Sequence, residues 1–257
     1  MRSLVVVFAC LPVLLSASCR DQRGSQPQTV RVWAAASLTD VVGDLCEELK
    51  KQGRGVCEPN FAATSLLARQ IESGGPADVF LAADVQWVSG LEAKGLVSTP
   101  HGTDWLGNEL VAIVPVASTT ALAGPEDLTS PRIQRIALAD PAHVPAGVYA
   151  RKTFENMGLW ASLESKIVGA TDVRSALAMV ESGSVDAGVV YRTDALASDR
   201  ARVAFRFPAD KTPRIQYSAC LTAAGAQSPA ATAFLDFVYS REAIPILEKR
   251  GFDVPWE

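Results

Sequence analysis

From Val30 onward the sequence repeats one unit: a short apolar run, a break of small or hydroxylated residues, then a helical pattern. That alternation constrains the chain to an α/β fold built on largely parallel sheet. The first round is the most explicit. In Val30–Asp40 (Val-Arg-Val-Trp-Ala-Ala-Ala-Ser-Leu-Thr-Asp) the apolar residues at 30, 32 and 34 predict a buried strand. Ser37 followed by Asp40 has the form of a capping box, and Leu38, Val41, Val42, Leu45 and Leu49 recur at helical spacing. A strand that breaks through small residues into a helix N-terminus aims free backbone N–H groups and a hydroxyl at one point. Such a point favours an anion.

The later rounds repeat this geometry. Gly55–Phe61 reads as a strand, ends in Ala62-Ala63-Thr64-Ser65, and opens a helix carrying Leu66, Leu67 and Ile71 that stops at Gly74-Gly75. Val79–Ala82 is a third strand, after which Asp84 caps a helix closed by Gly95. Leu110–Val116 is an apolar strand followed by a polar segment, 117–133. Ile136–Leu138 starts a second series, with Pro145 in the first turn of its helix. Thr171 and Asp172 open a helix over Val173–Glu181, and Val185–Tyr191 is a strand. Arg202–Phe207 and Gln216–Leu221 read as strands, and the chain ends in helices Pro229–Tyr239 and Arg241–Lys249. Two α/β series separated in this way predict two lobes joined by two crossing segments. Residues 30–109 and 208–257 would form a discontinuous lobe I and residues 110–207 lobe II, with the ligand cleft between them.

The N-terminus stands apart. Arg2 precedes a twelve-residue apolar run, Leu4–Leu15, and then Ser16-Ala17-Ser18-Cys19. The run is too short to span a membrane and reads as a secretory signal over residues 1–18. Its end is similar to a lipobox that would lipidate Cys19, although Ser16 stands where a lipobox has Leu, Val or Ile; ordinary cleavage near Ala17 is the alternative. Residues 19–29 are polar and turn-rich, a tether between anchor and body. Signal removal takes away one arginine and no acid, shifting the net charge from −4 to −5. With no basic run, a nucleic-acid partner is excluded. An acidic exported chain that binds an anion must do so with local dipoles.

Of five cysteines, Cys10 leaves with the signal and Cys19 is the lipidation candidate, which leaves Cys46, Cys57 and Cys220. Cys46 on the first helix and Cys57 on the next strand could be neighbours, so a disulfide between them is expected as one of two outcomes in an oxidising compartment. No CxxC spacing occurs and only two histidines are present. A protein-ligated metal or redox cofactor is therefore not expected.

Four strand-to-helix junctions, Ala36-Ser37, Thr64-Ser65, Ala146-Gly147 and Asp172-Val173, share the small or hydroxylated character described above, and Tyr191 adds a phenol at a strand end. Singly, Ser37 and Thr64 would read as helix caps and Tyr191 as a core residue. Together they suggest a desolvated oxyanion site made of neutral donors, without identifying the anion.

A resemblance supplies the candidate. Val-Trp-Ala-Ala-Ala-Ser-Leu-Thr-Asp (32–40), Phe-Ala-Ala-Thr-Ser-Leu-Leu-Ala-Arg-Gln-Ile-Glu (61–72), Gly-Pro-Ala-Asp-Val-Phe-Leu-Ala-Ala-Asp (75–84), Asp-Pro-Ala-His-Val-Pro-Ala-Gly-Val-Tyr-Ala (140–150), Asp-Val-Arg-Ser-Ala-Leu-Ala-Met-Val-Glu (172–181) and Gly-Val-Val-Tyr (188–191) resemble the molybdate-binding proteins of bacterial molybdate ABC transporters. The likeness runs in order from about Val30 to Phe252. It implies a type II periplasmic-binding-protein fold in which each lobe is a mixed, mostly parallel sheet flanked by helices. It also implies a monomer in the periplasm or cell envelope that captures molybdate or tungstate and delivers it to a transporter permease, with ATP hydrolysed by a separate subunit. Carried over by position, the oxyanion ligands would be the Ser37 and Thr64 hydroxyls on lobe I, with the Ala146 and Val173 backbone and the Tyr191 phenol on lobe II. The metal would be held only as its oxyanion. Thr64 stands where the family commonly has serine, and Ser65 is the secondary candidate for that role. His143 would fix the loop before Pro145, and Arg174 would pair with a local acid. Two alternatives remain: the same fold serving another oxyanion or a small carboxylate, or an enzyme with a serine or cysteine nucleophile. The second lacks a nucleophile-elbow pattern around either histidine.

Overall fold

The computed structural model describes residues 29–256. The signal segment, Cys19 and the tether as far as residue 28 lie outside the described residues. Thr29, expected in the tether, is the first residue of strand β1 and pairs with Val56.

The chain first builds β1 (Thr29–Ala35), α1 (Thr39–Lys51), β2 (Val56–Ala62), α2 (Thr64–Glu72), β3 (Val79–Ala82), α3 (Val85–Glu92), β4 (Val97–Ser98) and β5 (Leu106–Asn108). It continues through β6 (Leu110–Pro115), β7 (Ile136–Ala139), α4 (Pro145–Asn156), α5 (Trp160–Leu163), β8 (Ile167–Ala170), α6 (Val173–Glu181), β9 (Ala187–Tyr191), α7 (Arg192–Leu196) and β10 (Ala201–Arg206). It closes with β11 (Ile215–Thr222), α8 (Pro229–Val238) and α9 (Ile244–Lys249).

Two mixed sheets result. The first runs β2-β1-β3-β11-β4, with β5 also paired to β11. Its β2, β1 and β3 are parallel and β11 is antiparallel to β3. The second runs β10-β6-β9-β7-β8, with β9, β7 and β8 parallel and β6 antiparallel to β9. The chain crosses from the first sheet to the second between Asn108 and Leu110, and returns between Arg206 and Ile215. This is the α/β, two-sheet architecture with flanking helices that the alternating pattern implied.

Burial explains why these residues form these strands. Val30, Val32 and Ala34 are inaccessible on central β1, and all four residues of both β3 and β7 are buried. Strands covered on both faces by helices lose the polar alternation of an exposed sheet. Leu38, Val41, Val42, Leu45 and Leu49 form the buried face of α1, as their spacing predicted. Among the described residues no helix is long and apolar enough to cross a membrane.

Elements absent from the sequence reading are short. β8 has only one buried residue, and α5 and α7 span four and five residues, too few to show a period. Of the two outcomes left open for Cys46 and Cys57, the structure has the unpaired one: both are free thiols. The hydrogen-bonding contact with Cys57, reinforced by burial, pushes the Cys46 thiol far up and keeps it protonated.

Candidate functional site

The loops that leave the C-terminal ends of β1, β2, β7, β8 and β9 converge between the two sheets, where ligands of open α/β sheets bind. They enclose a small cavity lined by Ala35, Ala36, Ser37, Ala63, Thr64 and Ala83 from the first sheet and by Val144, Pro145, Ala146, Asp172, Val173 and Tyr191 from the second. The structure thus brings Ser37, Thr64, Ala146, Val173 and Tyr191 together at one cavity. The cavity is small, so it suits a compact guest rather than an extended organic one. None of the residues lining it is a lysine, arginine or histidine. Ser65 is not among them; it faces a neighbouring groove with Arg69, Asp140 and His143.

Each wall has its own construction. Ser37 sits in a single 3-10 turn, Ala36–Leu38, between β1 and α1. The expected capping box is therefore not formed: the residue preceding α1 is Leu38, and no side chain caps that helix. The Ser37 hydroxyl instead lies 3.0 Å from the Tyr217 hydroxyl on β11. Thr64 is the first residue of α2, and its Oγ1 accepts the Ala83 N–H at 3.0 Å. Both side chains are buried, at 3% and 1% exposure.

On the opposite wall α4 begins at Pro145, where a missing N–H costs nothing, so Ala146 presents the first peptide hydrogen of that helix. Gly147 lets α4 start this close to the sheet, because a Cβ there would lie 1.9 Å from the Ala139 carbonyl oxygen. Asp172 caps α6 by accepting the Ser175 N–H at 2.8 Å, which leaves the Val173 N–H at the open end of the helix. Two helix N-termini thus add partial positive charge to this wall. Tyr191 ends β9 at 1% exposure, and its hydroxyl is buried with no hydrogen-bond partner. Burial pushes that phenol well up, so it remains a neutral O–H donor.

Arg174 does pair with acids, but neither is the local one expected: they lie 20 and 134 residues away in sequence. Its Nε reaches Asp194 Oδ1 at 2.6 Å and its Nη2 reaches Asp40 Oδ2 on α1 at 2.5 Å. The guanidinium therefore ties α6 and α7 to α1, beside the cavity. His143 Nδ1 lies 3.6 Å from Asp140 Oδ2, an exposed contact within the loop before Pro145. Sequence reasoning missed Tyr217, Asn108 and the Asp40–Arg174 pair. Each depends on residues more than a hundred positions apart, and no local pattern signals such a contact.

A two-sheet α/β molecule with small-residue helix starts gathered around one interlobe cavity has the form of a solute-binding protein. The family comparison agrees: residues 30–253 match the bacterial extracellular solute-binding protein family, and the chain belongs to it. It is 36% identical over 229 residues to the molybdate-binding protein ModA of Escherichia coli (strain K12), covering 88% of this chain and 89% of that one. It is 34% identical over 227 residues to the ModA of Haemophilus influenzae, covering 87% and 89%. The periplasmic molybdate-binding protein of Azotobacter vinelandii superposes with a TM-score of 0.77 at 21% identity, over 88% of this chain and 99% of that one, and so shares the fold.

Proposed function

We propose that this protein captures molybdate or tungstate outside the cytoplasmic membrane and delivers it to the permease of an ABC transporter. The observation that carries the proposal is the meeting of Ser37, Thr64, Ala146, Val173 and Tyr191 at one buried cavity that no cationic side chain lines. Hydroxyls and peptide N–H groups backed by helix dipoles stabilise a buried dianion without an ion pair. Relatedness to molybdate-binding proteins along most of the chain favours this anion over other oxyanions.

In this mechanism lobe I, residues 30–109 and 208–257, brings the two hydroxyls. Lobe II, residues 110–207, brings the two peptide donors and the phenol. An anion that touches both lobes stabilises the closed form by its differential contacts, and the closed shape is what the permease recognises. Cavity size discriminates against sulfate, which carries the same charge. The protein works as a monomer held at the membrane by lipid on Cys19. Capture takes place without catalysis: no histidine lines the cavity beside Ser37, His143 lying in the neighbouring groove and His101 pairing with Asp236, while the nearby carboxylates Asp172 and Asp40 are held by the Ser175 N–H and by Arg174.

The test is thermal unfolding of the mature chain with sodium molybdate, tungstate, sulfate and phosphate. At a thousand times the dissociation constant the bound anion should stabilise the fold by about 4 kcal/mol. Absence of a shift with both molybdate and tungstate would overturn the proposal.

A further inference from the structure

The hydroxyl of Ser37 belongs to a hydrogen-bond chain that leads away from the cavity, and the chain has a direction. It starts at Glu109, whose N–H donates to Asn108 Oδ1 at 2.9 Å. That bond fixes which end of the amide is oxygen, so Asn108 Nδ2 must point the other way. Both of its hydrogens are used there: one goes to Thr193 Oγ1 at 2.9 Å and one to the Tyr217 hydroxyl at 3.2 Å. The Tyr217 hydroxyl has two polar neighbours, the Asn108 amide nitrogen, which can only donate, and the Ser37 oxygen 3.0 Å away, so its buried proton is satisfied when it is given to Ser37. All of these side chains are buried, and Tyr217 is inaccessible to solvent. An amide nitrogen has no lone pair to offer, so Tyr217 cannot donate back to Asn108, and the arrangement that leaves no buried proton unpaired runs on to Ser37. Ser37 receives a proton from behind and keeps its own for the cavity it lines.

The same logic holds at Thr64, where the Ala83 N–H occupies the back of the hydroxyl. The carboxylates near the cavity are turned to other donors: Asp172 to the Ser175 N–H and Asp84 to the Gln86 N–H.

We propose that Asn108 and Tyr217, neither of which lines the cavity, are specificity-determining positioning residues that occupy the back of the Ser37 oxygen and so free its proton for the bound anion. The selected substrate class is the fully deprotonated tetrahedral dianion, whose oxygens all accept, whereas an anion that retains a proton must take the one Ser37 lone pair left over and give up the Ser37 proton's best alignment. The inference rests on the anion-capture reading above and adds to it the residues that set its selectivity. Asn108 ends β5 on the first sheet, whereas Thr193 lies on α7 beyond the first crossing. The relay therefore joins the two lobes at their junction.

The test is calorimetric titration of the mature chain with sodium molybdate, sodium sulfate and sodium phosphate at pH 7. It compares wild type with Tyr217→Phe, Ser37→Ala, the double variant and Asn108→Asp. Tyr217→Phe should weaken molybdate and sulfate by the same factor, about tenfold. The loss should vanish when Ser37 is already alanine, because Tyr217 acts through that hydroxyl. Asn108→Asp replaces the donor with an acceptor and reverses the chain, so Ser37 turns a lone pair to the cavity. Molybdate affinity should then fall about a hundredfold or more while phosphate binding rises.

Additive losses in the double variant, or equal weakening of all three anions in Asn108→Asp, would mark a packing role and overturn the inference. Should Tyr217→Phe fail to fold, the Asn108→Asp phosphate response decides alone. A wild-type chain that binds none of the anions would instead overturn the capture reading, and the inference with it.

Discussion

The two walls of the cavity solve one problem in different ways. On the first-sheet side each hydroxyl that lines the cavity already has a protein partner, Ser37 holding Tyr217 and Thr64 the Ala83 N–H, and the one unpaired hydroxyl there, Ser65, lies outside the cavity. On the second-sheet side the Tyr191 hydroxyl has none, and the Ala146 and Val173 peptides stand at open helix ends. The first wall is complete without a guest, while the second buries a polar group whose desolvation is offset only when something fills the cavity. An unmade buried hydrogen bond costs more than a made one contributes. On the proposed reading this asymmetry has a use, because one preorganised wall would orient the anion and one unsatisfied wall would favour closure only when the anion is present.

The largest effect is expected where the walls are tied together. Arg174→Ala should destabilise the fold by about 3–5 kcal/mol, because it leaves Asp194, which is fully buried, without its cation. Chemical denaturation measures this, and a loss below about 1 kcal/mol would show that the tie contributes nothing.

Gly147→Ala should follow. Its methyl would meet the Ala139 carbonyl and push α4 off the second wall, costing about 1–3 kcal/mol and most of the anion affinity.

A third pair of variants separates the walls directly. Thr64→Ala strands the Ala83 N–H and should destabilise the anion-free protein by about 1–3 kcal/mol. Tyr191→Phe removes a hydroxyl without a partner and should leave the anion-free protein as stable or more so, while weakening molybdate binding at least tenfold. Equal melting temperatures for the two anion-free variants would contradict the asymmetry.

The smallest effect is a pH dependence of opposite sign on the two sides. Burial pushes the Asp194 carboxyl up from 3.8 to about 6 although Arg174 opposes the shift. The folded state thus holds this proton more tightly, and the stability it contributes is complete below pH 3.8 and lost as pH rises through about 6. Asp44, hydrogen-bonded by Arg250, is held below its usual value. Asp78 is too, since two hydrogen bonds and the charge of Arg31 outweigh its burial. Their contributions are present above pH 3.8 and are lost as pH falls through their lowered values. Melting temperature should rise as pH falls from 7 towards 4.5 and drop below about 3.8, and Asp194→Asn should flatten the first slope.

What could be read in advance followed the range of each interaction. The β3 strand, the Asp84 and Asp172 caps and the Pro145 helix start are set within four residues and were legible. Ser37 was legible as a special residue for a wrong local reason. A serine three residues before an aspartate favours a cap, but the turn over Ala36–Leu38 carries its hydroxyl towards Tyr217 instead. Arg174 was expected to take a local acid. Neither partner is local, Asp194 being 20 residues away and Asp40 134, so packing rather than local sequence sets both pairs.

The sequence alone determined the alternation of strand and helix, the small-residue breaks between them and hence the class of fold, because period and capping are short-range properties of the backbone. Tertiary structure alone decided which hydroxyl faces which donor, which carboxylate is buried beside Arg174 and whether two cysteines bond. Those outcomes depend on distances between segments far apart along the chain, and only packing sets such distances.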